Sequence, residues 1–252
     1  MSAIQDVLGQ GFVPVRRLQS LHGKLQYCSQ VVFGGRAFLR RLRLLVSRSG
    51  NAGYQFSRVS SNDALEVGFR ADMRWWMRAL RCHPGSSFSF VLRDPSSVDT
   101  TCFTDAALTW GAGGHSEGQY FACHWGPTSS ETLFEENNID FQELFAVYLA
   151  CRVWGRAWKG KHVRMVVDNE PVFFVLRSFS ATSLPLSRLL RGIVLECVKW
   201  SFRIFPRHID TKSNRFADLL SRGHEHLFLI EHGRAKKRPV KPVTWLRKCS
   251  DL

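Results

Sequence analysis

Hydrophobic periodicity changes once along this chain, near residue 100, and no single uniform fold can satisfy both halves. Up to that point apolar residues recur at helical spacing. Leu18, Leu21, Leu25, Cys28 and Val32 form one stripe after Pro14, and Phe38, Leu39, Leu42 and Leu45 a second after the Gly34-Gly35 break. Leu65, Phe69, Met73, Trp76 and Leu80 form a third, which Asn62 can cap and His83-Pro84-Gly85 ends. Arg40-Arg41 and Lys24 lie between the stripes, where they serve either a solvated helical face or phosphate contact. Asp94 to Thr100 is turn-forming and suits a linker.

Beyond the linker the pattern is that of strands alternating with helices. Thr101 to Thr104, Trp110 to His115 and Tyr120 to Trp125 read as an antiparallel meander. A helix follows over about Ile139 to Trp154, then a buried strand over Val163 to Val167. Helical segments at Val172 to Arg177 and Leu184 to Trp200 lead to a strand at Phe202 to His208 and a last helix over Asn214 to Arg222. That order predicts an α/β fold with a mixed five-stranded sheet flanked by helices, over residues 98–224. Residues 1–97 form a small helical connector before it, and 225–252 a basic tail that is expected to lie outside the fold.

Charge and cysteine usage narrow the function classes. With 35 Lys plus Arg against 21 Asp plus Glu, the net charge of +14 favours a polyanionic partner, since each neutralised phosphate releases condensed counterions. The seven cysteines are scattered and never paired as C-x-x-C, which argues against a disulfide framework or zinc ribbon and for a reducing, intracellular setting, nuclear or cytoplasmic. No apolar run approaches the roughly 18 residues of a membrane span, and no secretion signal is evident.

Four carboxylates punctuate apolar elements: Asp105 at the end of the first strand, Glu143 within the helix after the meander, Asp168 at the end of the fourth strand and Asp218 early in the last helix. Acids converging on one pocket repel by about 4 kcal/mol per pair at an effective dielectric near 20. A divalent cation removes that penalty. Hard oxygen ligands suit Mg²⁺ or Mn²⁺, and two such ions can activate water and stabilise the departing oxygen of a phosphodiester. Taken singly, each acid also has an ordinary explanation, such as Asp168 before Asn169 capping a turn or Asp218 at a helix N-terminus.

Thr104-Asp105-Ala106, Gln142-Glu143-Leu144, Val167-Asp168-Asn169 and Asn214 to Arg222 together resemble the ribonuclease H family. The likeness is closest to the ribonuclease H domain of retrotransposon reverse transcriptases, especially DIRS-type elements that integrate with a tyrosine recombinase. Trp110-Gly111-Ala112, Ala146, Trp154-Gly155 and Arg207-His208-Ile209 carry it further, while Leu18 to Leu25 resembles the helical segment joining polymerase to nuclease. The resemblance implies a ribonuclease H-like fold, an RNA–DNA hybrid as partner, two Mg²⁺ or Mn²⁺ ions, and Asp105, Glu143, Asp168 and Asp218 as metal-binding catalytic acids. Asn214 would bind substrate, position the last acid, or cap the final helix. The chain lacks the Asp-Asp pair of a polymerase palm, so it resembles a C-terminal fragment with a polymerase segment upstream. Where cellular ribonucleases H carry a mobile His, it has Thr211-Lys212-Ser213; His208, three positions earlier, reads as structural.

Rival readings are a non-catalytic retroelement remnant that still binds nucleic acid, a transposase or integrase core, and a protein-interaction module built on the Trp-rich connector. Gly155 to His162 nearly matches a phosphate-binding loop, but it closes a helix and precedes a strand, the reverse of that motif. His224, Glu225, His226, Glu231 and His232 form a polar cluster read as a solvated turn. Lys236-Lys237-Arg238 is open among solvated tail, nuclear import and phosphate contact.

Overall fold

A computed structural model describes residues 1–60, 62–81, 97–126, 138–242 and 244–245. The His83-Pro84-Gly85 helix stop and the first part of the expected linker, 94–96, lie outside the described residues. The chain divides into two compact units, Met1–Arg93 and Asp94–Leu252.

In the first unit the three expected helices form: α2 (Val15–Cys28), α3 (Arg40–Asn51) and α4 (Ala64–Arg81). They bury the stripes that define them, with Leu18, Leu42, Leu45, Phe69, Met73 and Trp76 fully enclosed. A short helix α1 (Ser2–Leu8) and a two-stranded antiparallel ribbon, β1 (Phe12–Pro14) with β2 (Phe56–Arg58), add to the purely helical expectation. Each strand has three residues, too few for an alternating pattern to register. The Gly34-Gly35 break has a steric reason. Gly34 adopts φ +65°, and a Cβ on Gly35 would stand 2.7 Å from the Trp76 ring. Asp63 rather than Asn62 begins α4, its carboxylate accepting from the Leu65 N–H at 2.7 Å.

Arg41 is neither a solvated nor a phosphate-facing residue. It is buried, ion-paired with buried Asp72 at 3.0 Å, and donates to the Gly68 carbonyl at 3.1 Å. Gly68 makes room for it, because a Cβ there would approach the guanidinium to 2.4 Å.

The second unit is α/β with a mixed sheet of six strands. These are β3 (Thr100–Ala106), β4 (Gly111–Ser116), β5 (Gln119–His124), β6 (His162–Val167), β7 (Arg203–His208) and β8 (Lys236–Lys237). Their order is β7-β6-β3-β4-β5-β8. The meander β3-β4-β5 is antiparallel, whereas β6 pairs parallel with β3 and with β7. Helices α5 (Ile139–Trp154), α6 (Glu170–Ser178), α7 (Leu184–Trp200) and α8 (Arg215–Ser221) fall where the periodicity puts them. The segment Gly155 to Lys161 closes α5 and leads into β6, so it is no phosphate loop.

Side chains alternate along a strand, so Cys102 and Phe103 face opposite sides of the sheet. Cys102 neighbours Cys151 of α5, which in turn neighbours Cys197 of α7. Phe103 stacks on His115, which touches Phe216 of α8. The sheet is therefore covered by α5 and α7 on one face and by α8 on the other.

The expected fifth strand is not the last. Past residue 224 the chain forms α9 (Glu225–His232), whose Phe228 is fully buried against Tyr120 and Phe216, and then β8. Lys236 N–H donates to the Gly118 carbonyl and Arg238 N–H to that of Tyr120, at 2.9 and 2.7 Å. A basic segment thus covers the outer edge of β5 at Gln119 and Tyr120, where unpaired backbone groups would otherwise stand open. Lys237 and Arg215 pair with Glu225 and Glu231, both at their closest within 2.7 Å, which takes these acids out of the His cluster. The five described cysteines are free. No helix among the described residues is long and apolar enough to cross a membrane.

Candidate metal centre

The site is built by strand register. Phe103 of β3 is paired with Val166 of β6 in parallel, so two residues further on Asp105 and Asp168 stand side by side at the carboxyl ends of neighbouring strands. Glu143, in the second turn of α5, completes the group. Ligand oxygens of Asp105, Glu143 and Asp168 lie within 4.8 Å of one another. Among the described residues no other set of three His, Cys, Asp or Glu side chains is arranged this way.

Two small polar links hold these elements in place. Asn169 caps α6 by accepting from the Val172 N–H at 2.9 Å, and its amide donates to Asp140 of α5 at 3.0 Å. The end of β6 is thereby tied to the start of the helix that carries Glu143. On the other face Asn214, just before α8, donates to the Thr104 carbonyl at 3.0 Å. Asn214 is 1% exposed and makes no capping bond to its helix, so of the expected roles capping falls away. It positions α8 on β3, one residue from Asp105.

Close approach of α8 depends on Gly113, which stands opposite Asp105 in β4. A Cβ on Gly113 would come within 2.4 Å of Leu220 Cβ and 2.5 Å of Ser221 N. Because the glycine leaves that space open, the Ser221 hydroxyl reaches Asp105 Oδ2 and lies 2.9 Å from the Asp218 carbonyl. Asp218 itself is outside the three-acid group. Its carboxylate is ion-paired with Arg222 at 2.6 Å, though its charge is still felt by Asp105.

Electrostatics follow from this crowding. Burial pushes the Asp105 carboxyl up to about 6; donation from Ser221 and the Arg222 charge oppose the rise, while Asp168 and Asp218 add to it. Glu143 is pushed well above the usual carboxylate range, by burial first and then by the Asp105 and Asp168 charges, with the Ala106 N–H acting the other way. Glu143 Oε2 is buried with no hydrogen-bond partner. An acceptor so placed costs free energy unless a cation or proton meets it. Two buried carboxylates and the half-buried Asp168, with one orphaned oxygen among them, could hold a metal ion, and hard oxygen donors suit Mg²⁺ or Mn²⁺.

His208 ends β7 as expected, and its Nε2 lies 3.1 Å from the backbone carbonyl of Asp168, so it braces the strand end. Sequence reasoning singled out all three clustered acids but missed Asp140, Ser221 and Arg222. Of these only Arg222, one helical turn after Asp218, left a readable signal. No protein-family model matches the chain, and no curated protein matches it.

Proposed function

We propose that the second unit is a ribonuclease H-like, metal-dependent endonuclease that hydrolyses the RNA strand of RNA–DNA hybrids, as part of a retroelement reverse transcriptase. The observation that carries this reading is the convergence of Asp105, Glu143 and Asp168, from two parallel strand ends and a crossover helix, within ligand distance of one another. An antiparallel meander continued by two parallel strands supports the same reading, as does α8 lying across β4 with Ser221 reaching Asp105.

In this reading Asp105, Glu143, Asp168 and Asp218 would hold two divalent ions. Bound there, the ions would activate a water and stabilise the departing oxygen of an in-line phosphodiester displacement. Ser221 holds one Asp105 oxygen, which fixes the direction of the other. Asn169 and Asp140 keep Asp168 and Glu143 in mutual range. Arg222 is paired with Asp218 at 2.6 Å, so Asp218 would exchange that partner for the ions on joining the centre. The hybrid would be recognised by shape, phosphates and 2′-hydroxyls rather than by base sequence.

The test is cleavage of a labelled RNA–DNA hybrid in Mg²⁺ or Mn²⁺, with Asp105→Asn, Asp168→Asn and Asp218→Asn beside the parent. Metal-dependent cleavage by the parent and its loss in the first two variants are expected. Cleavage that survives both substitutions would remove the proposed centre, and a parent that binds hybrid without cutting it would leave a nucleic-acid-binding remnant.

A further inference from the structure

The β1-β2 ribbon of the first unit turns a face of unusual composition to solvent. Residues directly opposite in an antiparallel pair share a face, and alternate residues along each strand return to it. Phe12 stands opposite Arg58, and Pro14 opposite Phe56, so these four lie on one face while Val13 and Ser57 lie on the other. Val13 and Ser57 are buried at 0% and 1% exposure, whereas Phe12 and Phe56 are 62% and 55% exposed. Tyr54, leading into β2, is 66% exposed. Arg16 and Arg17, in the first turn of α2 after β1, are also exposed.

The ribbon is a fixed platform. Val15 N–H donates to the Gln55 carbonyl at 2.9 Å at one end and Val59 N–H to that of Gly11 at 3.0 Å at the other. Arg70 of α4 donates to the Val59 carbonyl at 2.9 Å. Its aromatic rings are thus presented without a further ordering cost.

Charge decides what such a face fits. Residues 1–81 contain thirteen Lys or Arg and four Asp or Glu. Three of those acids are engaged internally, Asp63 and Glu66 with Arg48 and Asp72 with Arg41. The surface excess is therefore strongly basic. Exposed aromatics set among arginines suit unpaired bases with their phosphates, because every base offers a π-face and each phosphate a counter-charge. We infer that the Phe12–Phe56 face of the ribbon is a binding site for single-stranded nucleic acid, separate from the acid centre of the second unit.

Fluorescence anisotropy of labelled oligothymidylate and oligouridylate, with the full chain in chelator, tests this and shows whether DNA or RNA is preferred. Chelator silences the acid centre, so the result stands or falls independently of the nuclease reading. Phe12→Ala/Phe56→Ala is expected to weaken binding about tenfold or more, and Phe12→Trp/Phe56→Trp to retain it. Arg16→Gln/Arg17→Gln/Arg58→Gln should make the slope of log affinity against log salt shallower by about 2. Thermal melts establish that the variants fold. Equal affinity of the alanine variant and the parent would overturn the inference, as would loss of binding in the tryptophan variant too. A parent that binds neither oligonucleotide but self-associates through these phenylalanines would assign the face to protein contact and overturn it equally.

Discussion

Asp105 shows what burial does to a single side chain at this site. Its carboxyl stands at about 6 against an ordinary 3.8, chiefly because burial disfavours the anion. A folded-state value above the unfolded one means that the stability linked to this group is intact below about pH 4 and is lost as pH rises through about 6. Without divalent metal, the chain is expected to lose on the order of a few kcal/mol between those limits, with Glu143 adding to the loss. Mg²⁺ or Mn²⁺ at neutral pH should restore it by binding the folded state alone. Denaturant titrations in chelator at pH 4 and pH 7 check this against Asp105→Asn, whose stability should vary less over the window; an equal pH dependence in both proteins would refute the assignment. Acids of this kind were legible in the sequence because a charge inside an apolar segment stands out. Their partners were not. Ser221 and Asp105 are 116 positions apart, and a serine near a helix end has many ordinary reasons to be there.

Between elements, small residues set the distances that bring these side chains together. Gly113 reads in sequence only as part of a glycine-rich strand, yet its missing Cβ is what lets α8 lie on β4 and bring Ser221 to Asp105. Gly113→Ala places a carbon against the backbone nitrogen of Ser221 and the Cβ of Leu220, neither of which can swing aside. It should cost about 1–3 kcal/mol by overpacking and reduce metal-dependent cleavage more than folding alone explains. Denaturant midpoints and cleavage rates at saturating metal measure the two effects, and a variant with both unchanged would show that α8 is free to shift. The same logic applies to Gly68 and Arg41. Periodicity located α4 well, but it could not show that an arginine between stripes would turn inward to Asp72, because the pair is made across helices 31 positions apart.

At the scale of the whole molecule, the open question in the sequence was how far the second unit extends. Composition alone treats residues after 224 as a basic tail, since Lys236, Lys237 and Arg238 look solvated and the one enclosed aromatic, Phe228, sits among histidines. Tertiary structure makes them an edge strand and a covering helix. Phe228→Ala is expected to cost about 3–5 kcal/mol, as for a fully buried phenylalanine, and ending the chain at Gly223 should cost at least as much. Thermal unfolding of both proteins checks this, and melting temperatures equal to the parent's would return the segment to a tail. What the sequence determined by itself was local: most helix and strand positions in the second unit, the change of character near residue 100, the basic charge, and four acids set at strand ends or within helices. Each depends on spacing within one segment, where periodicity and composition are sufficient. Which acids meet, that Asn214 ties α8 to β3 rather than capping its own helix, and that the sheet gains a sixth strand were decided only by tertiary structure. Those outcomes turn on strand register and on the space left by missing side chains, which join residues distant along the chain and leave no local pattern to read.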